Sequence, residues 1–420
     1  MKVSINKSVI KGRVKAPSSK SYTIRGLMCA ALAEGESELV RPLGSDDTEA
    51  ALSVLSKIGV RTCLDNAIWR VSGGTFHEPE SDLFCGDSAA TLRFMTAICS
   101  VVPGRCRLTA GPSLAKRPVK TLVEALRQLG VDASCNGELA PMVVTGGRLR
   151  GGETELRGDI SSQYVSALLL VAPFAEKDVK IKLTTPLESK PYVLMTLECM
   201  EKFGVGVKAS SDLKDYEVAR QSYQPAKYTV EGDWSSVSYL LALGAVSGEI
   251  SVENLNPGSL QGDKIILDFL REMGTSVKVA DNSVTVRKSK LNALKADLTD
   301  CIDLLPTMAV LAALARGTSE FSGIQRARLK ESNRVSALRE ALGRAGIMVI
   351  EEENKLTING GETRHCVIDS LNDHRIAMAF SILGAGMGGV VINGAECVSK
   401  TYPDYWNVFE SIGGEVKYEQ

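Results

Sequence analysis

The sequence predicts an α/β protein of two domains, assembled from six copies of a β-α-β-α-β-β unit with three copies per domain. Three observations carry that prediction. First, six amphipathic helix ends stop at glycine: LSKIG (55–59), LRQLG (126–130), MEKFG (200–204), LREMG (270–274), LGRAG (342–346) and FESIG (409–413). The glycines stand at 59, 130, 204, 274, 346 and 413, so the spacings are 71, 74, 70, 72 and 67. Glycine just past a helix takes the left-handed conformation that stops it. Second, the segment after each stop is β-branched or alternating, as in Val277-Lys278-Val279 and Glu415-Val416-Lys417-Tyr418. Third, another helix start lies upstream of each of these helices, so every copy holds two helices among short strands.

In the first copy the helices start near Lys20, where Ser18 or Ser19 can cap, and near Asp46. In the second they start near Ser88 and near Arg117, with Pro118 suited to the first helical position. The third copy starts its helices near Ser161 and Lys190, again with a proline, Pro191, at the opening. The fourth uses Asp233 and Gln261, the fifth Asp303 and Glu331, and the sixth Asn372 and Thr401. The first strand, 2–9, has no partner in its own copy and is assigned to the C-terminal half, which makes the connection between domains double. The joint is expected at 220–228, a stretch holding Gln221, Ser222, Gln224 and Pro225. The predicted domains are 1–14 plus 228–420, and 15–227.

A chain of 420 residues exceeds what one core supports. Lys plus Arg total 49 and Asp plus Glu total 50, a net charge of −1. That balance excludes an extended nucleic-acid surface but not a small anionic ligand held by locally gathered cations. Ten scattered cysteines without a CxxC pair, and only three histidines, exclude zinc spacing and predict reduced thiols in the cytoplasm. The N-terminal residues 1–15 carry several lysines and no apolar core, unlike a signal peptide. The longest uncharged run, 376–395, contains five glycines and reads as helix, turn and strand rather than a membrane span. GAGMGG (384–389) follows a helix and precedes a strand, the reverse of a dinucleotide site, and no Walker A sequence occurs.

The helix starts carry unusual charge. Lys20, Arg25, Arg117, Lys330, Arg334, Arg375 and Lys400 cluster at these starts, where a cation opposes the helix dipole. Each alone is a solvated surface charge on base rates. Together they fit an anion, which free backbone N–H groups and added cations both favour. Carboxylates stand in the same places. Asp303 opens the apolar run DLLPTMAVLAAL and reads equally as a plain N-cap, while Glu331 lies between Lys330 and Arg334. The pair Ser161-Ser162 lacks a nearby histidine base and reads as hydroxyl donors. The aromatics of Tyr402-Pro403-Asp404-Tyr405-Trp406 read as helix-start packing.

These residues fall into motifs that resemble the 5-enolpyruvylshikimate-3-phosphate synthase family over essentially the full length. They are KSYTIR (20–25), GDSAATLR (86–93), KRP (116–118), SSQ (161–163), SKPY (189–192), EGDWSS (231–236), LKESNR (329–334), NDHR (372–375) and KTYPDYW (400–406). The resemblance implies the two-domain inside-out α/β barrel that enolpyruvyl transferases share with RNA-end cyclases. It places the active site in the cleft between domains, with closure around the first substrate. It implies transfer of the enolpyruvyl group of phosphoenolpyruvate to the 5-hydroxyl of shikimate 3-phosphate by addition and elimination, in the shikimate pathway. No cofactor and no metal are implied. The expected partners are the two small anionic substrates, with no nucleic acid and no membrane, and the expected state is a monomer.

Carried over by position, shikimate 3-phosphate binding falls to Lys20, Ser21, Arg25, Ser161, Ser162, Gln163, Ser189, Tyr192, Asp303 and Lys330. Phosphoenolpyruvate binding falls to Lys20, Ala89, Arg117, Gln163, Arg334, Arg375 and Lys400. The implied catalytic groups are Asp303 as base toward the hydroxyl, with Glu331 and Lys20 moving protons at the enolpyruvyl carbons and leaving group. The family's Gly-Asn-Ser/Ala-Gly-Thr turn is here Gly86-Asp87-Ser88-Ala89-Ala90. The extra methyl of Ala89 is expected to crowd glyphosate, a longer competitor, more than phosphoenolpyruvate. Arg326 replaces a neutral polar residue common in the family. The alternative is the sister transferase acting on UDP-N-acetylglucosamine, which carries a reactive cysteine where this chain reads GPSLAKR (111–117) and Lys-Asn where it has Lys20-Ser21. An RNA-end cyclase would need a nucleophilic histidine and a basic surface.

Overall fold

The computed structural model describes residues 1–65 and 67–419. The chain divides into two compact units: an N-unit, Ser18–Glu231, and a C-unit made of Met1–Pro17 with Gly232–Gln420. Among the described residues the N-unit holds six α-helices: α1 Lys20–Leu32, α2 Asp46–Ser56, α3 Ala89–Ile98, α4 Lys120–Gln128, α5 Ser162–Val171 and α6 Lys190–Lys202. The C-unit holds α7 Trp234–Ser247, α8 Ile266–Glu272, α9 Leu305–Ala313, α10 Arg334–Arg344, α11 His374–Met387 and α12 Tyr405–Ser411.

Sequence decides which helices go inside. The first helix of each repeat is apolar nearly all round, and α3, α7 and α9 are buried along their whole length. In the C-unit α7, α9 and α11 pack on one another; in the N-unit α3 packs against both α1 and α5. The second helix of each repeat is amphipathic and buries one face, as α4 does with Leu122, Val123, Ala125 and Leu126. The helices therefore form the centre of each unit.

Six four-stranded sheets complete the units. In five of them one pair of strands runs parallel and the remaining strands return antiparallel, and in three of these five the parallel pair flanks a buried helix as a β-α-β crossover. In the sixth, Cys366–Asp369 and Val390–Asn393 form the parallel pair. Lys2–Ile5 then lies antiparallel between Val390–Asn393 and Val416–Glu419. The expected strand 2–9 is thus two strands, Lys2–Ile5 and Ile10–Lys15, in different sheets. Ile10–Lys15 pairs with Gly248–Glu253 of the C-unit, although the chain continues into α1. Reciprocally, Lys227–Thr229 pairs with Glu38–Val40 of the N-unit, although the chain continues into α7.

All six glycine stops have positive φ, between 81° at Gly204 and 105° at Gly59. Four helix starts differ from the sequence expectation. Short 3₁₀ turns at Leu114–Lys116, Gly262–Ile265, Gln325–Leu329 and Ala395–Lys400 occupy the ground before the α-helices, which begin three to five residues later than Arg117, Gln261, Glu331 and Thr401. Pro118 is not the first helical residue: the Val119 amide donates to Glu138 O and Tyr164 Oη donates to Pro118 O, which holds this segment extended up to α4. Asp303 lies inside the 3₁₀ turn Ile302–Leu304 and caps no helix. GAGMGG spans the end of α11 and the turn into Val390–Asn393. The aromatics after Lys400 are core packing, with Tyr405 ringed by Tyr402, Trp406 and Phe409. All ten cysteines are free thiols, and no described helix is long and apolar enough to cross a membrane.

Candidate active site

In the C-unit, Asp303, Lys330, Glu331, Arg334, Arg375 and Lys400 form one ion network. Arg334, 1% exposed, opens α10 at its centre. Its Nη1 donates to Asp303 Oδ1 at 2.8 Å, its Nη2 to Glu331 Oε2 at 2.6 Å, and its Nε to Asp373 Oδ2 at 2.8 Å. Lys330 Nζ lies 3.2 Å from Asp303 Oδ1, Arg375 Nη2 3.3 Å from Asp303 Oδ2, and Lys400 Nζ 3.7 Å from Glu331 Oε1. Arg375 Nη1 also donates to Ser235 Oγ at 2.5 Å, and Tyr239 Oη lies 3.4 Å away.

Local backbone aims these groups. Asp373 caps α11 by accepting from the Arg375 amide, so one carboxylate both starts the helix and holds Arg334. Just before it, Leu371 and Asn372 adopt left-handed conformations, φ 54° and 55°, rare for non-glycine residues and often found at functional sites. The Asp369 carboxylate and Ser370 hydroxyl accept their amides and fix the turn. Arg326 donates to Thr299 O at 2.8 Å, tying the turn that carries Lys330 to the loop before Asp303.

The electrostatics follow from the mixture. Burial would raise the Asp303 carboxyl, but Arg375, Lys330 and Arg334 outweigh it and hold it well below the usual range. Burial brings the Lys330 ammonium down to about 8 despite Asp303. Burial also works against charged Arg334, and Asp373, Glu331 and Asp303 more than restore it.

The N-unit gathers its residues in smaller sets. Lys20 Nζ pairs with Asp47 Oδ2 at 2.8 Å. Ser19 caps α1 by accepting from Tyr22 N. Arg25, 2% exposed, donates to Thr196 Oγ1 at 2.8 Å and to the carbonyls of Ser21 and Tyr192 at 3.0 Å, between the rings of Phe94 and Tyr192. Burial lowers its pKa. Ser161 caps α5, Ser162 is its first residue, and Arg93 donates to Ser161 Oγ at 3.1 Å and Gln163 Oε1 at 2.6 Å. Ser189, buried with φ 55°, precedes α6, which carries Tyr192.

Arg117 differs from all of these. It is 8% exposed, its Nε has no hydrogen-bond partner, and no ion pair holds its guanidinium among the described residues. A buried cation without a partner is costly, so the arrangement suits an anion supplied from outside the protein. Its loop is fixed by Asp87, whose Oδ1 accepts from Ser113 N at 3.1 Å and Leu114 N at 2.9 Å. Ala89, the first residue of α3, is 7% exposed two residues after Asp87.

Sequence reasoning missed Asp47, Arg93, Ser235 and Asp373 as site groups. Arg93, Ser235 and Asp373 lie inside quoted motifs, so they were within reach; Asp47 reads only as a first-turn acid.

The chain matches the family model described as EPSP synthase (3-phosphoshikimate 1-carboxyvinyltransferase) over residues 5–409. A 3-phosphoshikimate 1-carboxyvinyltransferase of Dehalococcoides mccartyi is 48% identical over 418 residues, 99% of each chain. One from Methanothermobacter thermautotrophicus is 42% identical over 411 residues, 96% of each. A solved EPSP synthase of Acinetobacter baumannii shares the fold with TM-score 0.84 at 24% identity over the whole of both chains. The enolpyruvyl transferase NikO of Streptomyces tendae does so with TM-score 0.78 at 16% identity, covering 100% of this chain and 98% of that one. The chain belongs to the EPSP synthase (3-phosphoshikimate 1-carboxyvinyltransferase) family.

Proposed function

We propose that this protein transfers the enolpyruvyl group of phosphoenolpyruvate to the 5-hydroxyl of shikimate 3-phosphate, releasing phosphate. The observation that carries the reading is a pair of carboxylates, Asp303 and Glu331, embedded among Lys330, Arg334, Arg375 and Lys400, in a family member. Such a network binds anions and keeps ionised oxygens beside them. Lys20, Arg25, Ser161, Gln163 and Arg117 of the N-unit act on the same pair of substrates, with Arg117 taking a phosphoenolpyruvate oxygen.

The reaction proceeds by addition and elimination. The 5-hydroxyl adds to C2 as C3 gains a proton; C3 then loses a proton as phosphate leaves. Asp303 takes the hydroxyl proton. In the free protein its neighbouring cations make it a weak base; anionic substrates at Arg375 and Lys330 neutralise that support and raise its basicity. Glu331, held by Arg334 and reached by Lys400, moves the proton at C3, and Lys20 serves the leaving group. The protein works as a monomer in the cytoplasm, in keeping with ten free thiols. The UDP-N-acetylglucosamine reading is not favoured, since the loop 111–117 holds no cysteine.

The test is phosphate release from phosphoenolpyruvate with shikimate 3-phosphate and, separately, with UDP-N-acetylglucosamine. Release with the first acceptor alone is expected; release with the sugar nucleotide alone overturns the assignment.

A further inference from the structure

Behind Arg375 lies an acid that the addition–elimination mechanism does not use. Asp263 is 4% exposed, on the 3₁₀ turn Gly262–Ile265, and its Oδ1 has no hydrogen-bond partner. The turn is anchored to the start of α7: Gln261 Oε1 accepts from Trp234 N at 3.0 Å, and Gln261 Nε2 donates to Gly232 O at 2.8 Å. That anchor, one residue before Ser235 in α7, brings Asp263 beside the Ser235 hydroxyl. The Ser235 oxygen then accepts from Arg375 Nη1. Arg375 thus pairs with Asp303 directly and shares the Ser235 side of the site with Asp263.

We propose that Asp263, a buried acid with an unpartnered oxygen beside the Ser235–Arg375 pair, is the counter-ion that tunes the anion affinity of Arg375, and that it takes up a proton when the carboxylate of phosphoenolpyruvate pairs with Arg375. The inference rests on the reading that Arg375 holds phosphoenolpyruvate. The groups that face Asp263 are Asp303 and Cys301 from the neighbouring turn, Asp233 and Ser235 from the start of α7, and Arg375 from α11; Lys264 of its own turn points to the carbonyls of Pro257 and Ser259. Among the described groups that act on it most strongly Arg375 is the cation, so a ligand that neutralises Arg375 removes the main support for the ionised form. Burial, followed by Asp303, already pushes its carboxyl up to about 7. Asp263 is therefore a positioning residue that reaches the substrate only through Arg375.

The test is the ratio of kcat/KM for phosphoenolpyruvate in Asp263→Asn to that in wild type, from mildly acidic to alkaline pH at saturating shikimate 3-phosphate. Asparagine stands for the protonated acid, and the ligand's own ionisation cancels in the ratio. The ratio is expected to be near one below about pH 6 and to rise to about five- to tenfold above pH 8. A ratio flat with pH, whether at one or uniformly below it, overturns the proposal. Arg375→Gln separates the two levels: if it leaves KM for phosphoenolpyruvate unchanged, the binding reading fails; if it raises KM while the Asp263→Asn ratio stays flat, only the Asp263 inference fails. Should Asp263→Asn not fold, the wild-type protein answers alone. Saturated with shikimate 3-phosphate at about pH 8, where the ligand phosphate is fully ionised, it should take up protons when the saturated analogue phospholactate binds; no uptake overturns the proposal.

Discussion

Two arginines show how differently one charge can be housed. Arg334 is shared by Asp303, Glu331 and Asp373, so Arg334→Met leaves two buried carboxylates and the half-buried Glu331 without their common cation; losing one partner of a buried pair costs about 3–5 kcal/mol. A urea midpoint lowered to match is expected. Among the described residues Arg117 has no ion pair to lose, so Arg117→Met should keep or slightly raise stability, while KM for phosphoenolpyruvate rises at least about tenfold. Lys330 gives a pH signature. It loses its proton as pH rises through about 8, so kcat/KM for shikimate 3-phosphate should fall across that value, and Lys330→Arg should move the fall upward. Stability runs the opposite way. Between about 8 and the unfolded lysine value near 10.4 the unfolded chain binds the extra proton, so this group makes stability rise with pH there. At Ala89 the expected contrast is steric: Ala89→Gly should tighten glyphosate inhibition by about tenfold, the worth of a methyl in a tight pocket, and change KM for phosphoenolpyruvate less.

At the scale of elements, the strand pair that binds the N-terminal segment to the rest of the C-unit depends on close backbone approach. A Cβ on Gly248 would sit 1.8 Å from Ile10 O, on the strand pair Ile10–Lys15 with Gly248–Glu253. Gly248→Ala should therefore cost about 1–3 kcal/mol or more by overpacking, read as a lowered denaturation midpoint with increased amide exchange in Ile10–Lys15. The repeat was legible because a left-handed glycine after an amphipathic helix is a local event, and all six stops were placed by local pattern alone. Helix starts were less legible. A 3₁₀ turn and an α-helix draw on the same residues, so the turns before α4, α8, α10 and α12 shift their starts past Arg117, Gln261, Glu331 and Thr401. The double connection was expected from the unpartnered first strand, but the partners of Ile10–Lys15 and Lys227–Thr229 were not legible, since a strand's pattern shows that it pairs but not with which distant strand. In the site, charge clustering at helix starts pointed to Arg334, Arg375 and Lys400. Asp373 escaped because its sequence position declares only a cap, while its second task, holding Arg334, arises from tertiary packing.

At the scale of the molecule, six like repeats form two units with separate cores, and the symmetry stops at the chemistry. The paired carboxylates and cations concentrate in the last two repeats of the C-unit, whereas the N-unit holds smaller sets: Lys20 with Asp47, Arg25 and Arg93 on hydroxyls, carbonyls and an amide, and Arg117 outside any ion pair among the described residues. Central to the proposed function is that the C-unit carboxylates drive addition and elimination through a protonated C3. The most direct measurement is turnover of shikimate 3-phosphate and phosphoenolpyruvate in D₂O, with mass spectrometry of the product. Addition places a solvent deuteron on C3 and elimination removes any one of the three hydrogens, so deuterium should appear in the enolpyruvyl methylene, and Glu331→Gln should form this product far more slowly. A product formed at the normal rate without deuterium at C3 would contradict this chemistry.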